Sequence, residues 1–160
     1  MPDSKNDGDK STSGFRHLMG MRVVELAAGH AVMEISLAPG HLNSQGGVHG
    51  GVLASLIDNT GGLAGCYSPE KQTFRKAVTL TLTTSFTRAV SSGTIRAVAR
   101  KRSGGRTIFF STVEVTDDAG NLVAFGEASY KYVGDHASGS RDTERWEMAC
   151  SRNPGETDES

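Results

Sequence analysis

At 160 residues the chain is long enough to bury one real core and short for two independent domains. Its 17 Lys and Arg against 18 Asp and Glu give a net charge of −1, which argues against the basic footprint that binding a nucleic-acid backbone requires. The opening MPDSKNDGDKSTSG is polar, and no run reaches the roughly 18 apolar residues of a membrane helix, so a soluble, cytoplasmic protein without membrane partners is expected.

The two cysteines, Cys66 and Cys150, are far apart and suggest neither a disulfide framework nor a metal-ligand pair. Both are expected as reduced thiols. Residues 1–12 and 135–160 are rich in Ser, Asp, Glu, Gly and Arg, a composition that reads as disorder. The working domain is then 13–134. Trp146 and Met148 in the tail could form a small docking patch, with a plain disordered tail as the alternative.

Inside the domain, MRVVELAAGHAVMEISLAP alternates Met33, Ile35 and Leu37 with Val32, Glu34 and Ser36 beyond a turn at Gly29, the pattern of a β-hairpin. Val52, Leu53, Leu56, Ile57 and Leu63 follow at helical spacing, with Pro69 as a stop signal, which predicts one long helix over 49–66. Gly61 and Gly62 cost that helix up to roughly 1 kcal/mol each, a cost best tolerated where another backbone approaches closely. The alternative is a helix that ends at a C-cap near Gly61.

VTLTLTTSF has strict period two, with Val78, Leu80, Leu82 and Phe86 on one face and Thr79, Thr81, Thr83 and Ser85 on the other. TIRAVARKR, RTIFFSTVEVTD and NLVAFGEASYKYV follow as three further strands, joined by SGG and DAG turns. One helix cannot cover both sides of such a sheet. The economical arrangement is α+β, with a curved antiparallel sheet wrapped around the helix.

A strand pair, then Asn43, Gly46, His49, Gly50 and Gly51 in the pattern N-x-x-G-x-x-H-G-G, then a helix bearing Asp58 and a run of four strands, resembles a hotdog-fold acyl-CoA thioesterase. The similarity is to the phenylacetate-degradation (PaaI-like) branch and covers about residues 15–133. Thioester hydrolysis needs an oxyanion donor at the carbonyl and a carboxylate that activates water or attacks directly. Gly50 offers a bare backbone N–H at a helix start, where the helix dipole favours negative charge. Asp58 offers the carboxylate, set among apolar neighbours where partial desolvation strengthens such a group as a base.

Nine residues of helix from His49 to Asp58 span roughly 13 Å. If Gly50 and Asp58 act on one carbonyl, they must come from two copies of the helix in an isologous dimer. The resemblance implies the same pairing. It also implies that Asn43 orients the thioester or its attacking water, that Gly50 is the oxyanion donor, and that Asp58 is nucleophile or general base. Thr79 stands where related enzymes carry a serine that holds the hydrolytic water. His49 shapes the turn near the acyl group, with a purely structural role as the alternative.

Coenzyme A enters as part of the substrate, with no separate cofactor or metal. Arg75, Lys76, Arg88, Arg100, Lys101, Arg102 and Arg106 are placed to meet its phosphates, and Arg88 is the leading choice, although Ala89 follows it where relatives commonly have proline. An enoyl-CoA hydratase would need an aspartate in APGHLNSQGGVHGG, which has none. A non-catalytic acyl-CoA-binding hotdog protein stays open as the second alternative.

The threonine-rich strand bears on assembly. If Thr79 faces the helix, strict alternation turns Val78, Leu80, Leu82 and Phe86 outward, and dimers pack sheet on sheet into a tetramer. If those residues face the helix instead, a dimer suffices and Thr79 leaves the site.

Overall fold

The computed structural model describes residues 14–134. The terminal segments 1–12 and 135–160, with Trp146, Met148 and Cys150, lie outside the described residues. In chain order the elements are α1 (Gly14–Leu18), β1 (Arg22–Ala27), β2 (His30–Ser36), a 3-10 turn (Pro39–His41), α2 (Gly50–Cys66), β3 (Tyr67–Ser68), β4 (Thr73–Phe74), β5 (Ala77–Phe86), β6 (Thr94–Gly104), β7 (Ile108–Thr116) and β8 (Leu122–Tyr132). The short α1, the 3-10 turn and the β3–β4 pair add to the expected elements, because such brief segments carry too few residues to show a period.

Alternation along the strands builds the sheet. Ala31, Met33 and Ile35 on β2, Ile95, Ala97 and Ala99 on β6, and Phe109, Ser111, Val113 and Val115 on β7 are buried on one face. Six strands pair antiparallel in the order β1-β2-β6-β7-β8-β5, and α2 packs across the buried face. This is the expected α+β hotdog arrangement, one long helix held by a curved antiparallel sheet. Leu56 and Ile57 of α2 are fully buried, each contributing about 1.5–3 kcal/mol through apolar area withdrawn from water.

The first half of α2 packs with Val52, Leu53, Leu56 and Ile57, and the second half packs differently. There Phe109, Tyr130 and Tyr132 form an aromatic stack, with Phe109 centred 4.8 Å from each tyrosine ring. Gly61 and Gly65 lie one helical turn apart over this stack. A Cβ on Gly61 would overlap the Tyr130 hydroxyl, and one on Gly65 would overlap the Phe109 ring. The helix therefore runs through its glycines to Cys66 without a cap at Gly61. Aromatic side chains, rather than the expected backbone, occupy the space that the glycines leave.

The face assignment of β5 needs correction. Its pairing with β8 shifts register between Thr79 and Thr81, so alternation does not persist through Leu80. Thr79 pairs with buried Tyr130 and faces the helix, whereas Val78 pairs with Lys131 on the outer face. Beyond the shift, Leu82 and Phe86 lie opposite buried Ala128 and Ala124 and also turn toward the helix side. Neither uniform reading of the strand holds, because one bulge lets Thr79 and the later apolar residues share a face.

The outer face is divided. Glu34 bonds Arg22 at 2.6 Å and Arg96 at 2.5 Å near one edge, while Val78, Ile108, Phe110 and Phe125 are exposed toward the other. Strand β5 forms that second edge, and all its residues except Ala77 and Thr84 are exposed.

The packing at Gly65 gives a direct test. Gly65→Ala should lower stability by about 1–3 kcal/mol through overpacking against Phe109, despite alanine's better helix propensity. A urea midpoint equal to or above that of the wild type would show that the aromatic stack does not press on the helix.

Candidate active site

Two groups of side chains define the open face of α2. At its N-terminus, Asn43 organises the preceding loop. Its Oδ1 accepts the N–H groups of Gln45 at 2.9 Å and Gly47 at 3.2 Å, and its backbone carbonyl accepts from Gly46 at 3.0 Å. Gly46 sits at φ +81°, a left-handed conformation natural to glycine. These bonds fix which end of the Asn43 amide is oxygen, and they leave its NH2 without a partner among the described residues.

His49 is the N-cap of α2, and its Nδ1 accepts the Gly51 N–H at 2.9 Å. In the neutral ring the proton then resides on Nε2. The Gly50 N–H, at the first helical residue, has no acceptor among the described residues. The Phe86 ring lies over Gly50, where an added Cβ would sit 3.3 Å from Cζ. Sequence reasoning misses this aromatic wall, because strict alternation puts Phe86 in the outer row.

Asp58, two turns further on, is half-buried. Thr79 Oγ1 donates to its Oδ1 at 2.7 Å, which brings together two residues that the resemblance singled out for separate roles. Asp58 Oδ2 has no partner among the described residues. The Tyr130 hydroxyl donates to the Asp58 backbone carbonyl at 2.9 Å. Burial, reinforced by the negative charge of Asp58 and then by Cys66, pushes the Tyr130 phenol far above its ordinary range, so it remains a donor. Tyr130 is a residue that sequence reasoning misses. A usable signal is the alternation of Tyr130 and Tyr132 along one strand face, matched to Gly61 and Gly65 along one helix face.

Within one protomer the two groups stay apart. Eight residues of unbroken helix between Gly50 and Asp58 correspond to about 12 Å. Arg88 is exposed just past β5, two residues beyond Phe86, with its backbone N–H on the Val123 carbonyl at 3.3 Å. Its charge adds slightly to the lowering of the Asp117 carboxyl, which Asn121's hydrogen bonds chiefly cause. Arg75 lies over the Tyr132 ring at 3.3 Å and bonds the Arg106 carbonyl, and Arg102 bonds Thr112, so these cations hold the far end of the sheet together.

Cys66, at the last turn of α2, lines a cavity of about 340 Å³ together with Gly29, Arg75 and Lys101. It is a free thiol. Burial pushes it up to about 11, against the opposing pull of Arg75, Arg16 and Lys101. Among the described residues, no group of three His, Cys, Asp or Glu could hold a metal ion, and no helix is long and apolar enough to cross a membrane.

A curved antiparallel sheet wrapped around one long helix is the hotdog architecture, and here the open face of the helix presents an aspartate and a glycine N–H without an acceptor among the described residues. Residues 45–124 match the thioesterase superfamily, and the chain belongs to that family, in its PaaI-like branch. Its fold is similar to that of the conserved protein PA5202 from Pseudomonas aeruginosa, at 35% identity and TM-score 0.70 over 77% of this chain and 96% of that one. A variant of the phenylacetic acid degradation protein PaaI from Thermus thermophilus is 28% identical, at TM-score 0.66 over 76% of this chain and 100% of its own. Rv1847 from Mycobacterium tuberculosis is 28% identical over 117 residues, covering 72% of this chain and 84% of the relative.

The raised Cys66 thiol predicts slow alkylation. A shift from 9.0 to about 11 cuts the thiolate fraction at pH 8 about a hundredfold. Iodoacetamide labelling, mapped by peptide mass to separate Cys66 from Cys150, should be slow at pH 8 in the folded protein and accelerate toward pH 11. Equal labelling of folded and urea-unfolded chains at pH 8 would contradict this burial.

Proposed function

We propose that the chain hydrolyses acyl-CoA thioesters in the cytoplasm as a homo-oligomer, with each site shared between two protomers. The observation that carries this reading is the Asp58 carboxylate held by Thr79 at 2.7 Å on the open face of α2, on a helix whose Gly50 N–H has no acceptor among the described residues. The long exposed edge of β5 supports the dimer, since an unpaired strand edge is a template for pairing with another chain. A two-fold across that edge would bring the Gly50 of one copy toward the Asp58 of the other.

In the general-base route, water attacks the thioester carbon while Asp58 Oδ2 takes one of its protons. The Thr79 hydroxyl hydrogen is engaged in its hydrogen bond to Oδ1, so its oxygen accepts a hydrogen bond from the water's other hydrogen and orients the attacking lone pair. The tetrahedral oxyanion is met by the partner subunit's Gly50 N–H, assisted by the α2 dipole. The Asn43 NH2 lies in the same loop and donates to the thioester or its water. Collapse expels the CoA thiolate, which takes the proton back from Asp58 to leave CoA and the free acid. Direct attack by Oδ2 would instead form an anhydride that water opens.

His49 serves this scheme by capping the loop that presents Gly50. Arg88, close to Phe86 at the same end, would meet a CoA phosphate. The exposed outer patch of Val78, Ile108, Phe110 and Phe125 supports a dimer of dimers packed sheet on sheet.

Asp58→Asn should leave the melting curve intact and lower kcat by at least about a hundredfold, the scale of losing an acid–base or nucleophilic group. Near-normal turnover in the folded variant would remove Asp58 from the reaction. For the shared site, inactive Asp58→Asn and inactive Gly50→Val protomers refolded together should regain activity in heterodimers. Verified heterodimers without recovery would place each site inside one chain. Light scattering should give a tetramer at micromolar concentration, and a stable dimer would count against the outer patch as an interface.

A further inference from the structure

Asp58 is held at both ends by one cross-strand pair. Thr79 and Tyr130 are direct partners in the β5–β8 ladder. Thr79 Oγ1 grips the carboxylate at 2.7 Å, and the Tyr130 hydroxyl grips the backbone carbonyl of the same residue at 2.9 Å. We infer that Tyr130 is a positioning residue for Asp58, and that with Thr79 it forms a two-point clamp setting where the carboxylate stands over the open face of α2. The inference rests on Asp58 being the catalytic carboxylate.

Three features separate this contact from ordinary packing. The tyrosine is 2% exposed, so its hydroxyl has little water as an alternative acceptor. The helix makes room for it, since a Cβ on Gly61 would overlap that hydroxyl. Thr79 stands opposite the tyrosine in the unbroken register that runs from Ala77 and ends just before the shift, so the two grips belong to one unit of sheet. A carboxylate carried on a helix would otherwise follow every small slide of that helix over the sheet, and misplacement of a reacting group by about 1 Å can cost two orders of magnitude in rate.

The protein contains its own control. Tyr132 donates to the Gly65 carbonyl at 2.6 Å, a bond of the same kind seven residues further along α2. Tyr130→Phe and Tyr132→Phe each remove one such hydroxyl and keep the ring in the stack with Phe109. Both should lower the melting temperature by similar small amounts. Only Tyr130→Phe should lower kcat, by about tenfold with KM within about twofold, while Tyr132→Phe keeps kcat within about twofold of the wild type. Gly61→Ala, which displaces the Tyr130 hydroxyl from the helix side, should reproduce the kcat loss.

A second readout does not depend on turnover. The Asp58 carboxyl carbon resonance, assigned by its absence in Asp58→Asn, should move in Tyr130→Phe and stay in place in Tyr132→Phe. Equal kcat losses in the two tyrosine variants, or an Asp58 resonance unmoved in Tyr130→Phe, would overturn the clamp. If Asp58→Asn retained turnover, the catalytic reading would fail by itself, and the resonance alone would decide whether Tyr130 positions the carboxylate.

Discussion

The close approach of α2 to the sheet governs the rest of the structure. Three sheet hydroxyls reach helix carbonyls directly, Tyr130 to Asp58, Ser111 to Gly61 and Tyr132 to Gly65. Such bonds are possible only where the helix carries no Cβ in the way. Each contributes modestly, about 0.5–1.5 kcal/mol, and leaving a buried hydroxyl without its partner would cost more. Together they fix the rotation and height of the helix over the aromatic stack, which apolar packing alone would leave freer to slide.

From that constraint follows the division of labour along α2. The buried stripe of Val52, Leu53, Leu56 and Ile57 anchors the first half, and glycines dock the second. The opposite face keeps Asp58 half-buried and leaves Gly50 bare at the N-terminus. In the proposed reaction these two groups are complementary halves, one that moves a proton and one that stabilises charge, and the distance between them is what makes a second protomer necessary. The exposed β5 edge, lying beside Asp58 through Thr79 and beside Gly50 through Phe86, ties assembly to chemistry.

Much of this was legible in the sequence. The helix expected over 49–66 is found at Gly50–Cys66, since apolar spacing and Pro69 marked its body and its end. The strands from Thr94 to Tyr132 followed their alternation and glycine turns, whereas the hydrogen bond from Thr79 to Asp58 is visible only in the folded chain, since the resemblance gave Thr79 the separate task of holding water. The orientation of β5 did not follow. Period-two patterning carries no trace of a one-residue bulge, and Leu80 is apolar like its neighbours on either reading. Tyr130 was hidden for a related reason, because its role depends on strand register and on Gly61 across the core, two relations that only the folded chain brings together. The glycines raised the right question about the helix, and the occupant proved to be aromatic rings.

If the held carboxylate of Asp58 serves thioester hydrolysis, free thiol must be released from an acyl-CoA. Wild-type protein should be assayed against phenylacetyl-, benzoyl-, acetyl- and longer-chain acyl-CoA, with CoA appearance followed by a thiol reagent. At least one of these should be turned over with kcat/KM above about 10⁴ M⁻¹s⁻¹, the lower end of the usual enzyme range. A folded, oligomeric protein that releases thiol from none of them faster than the uncatalysed background would contradict it.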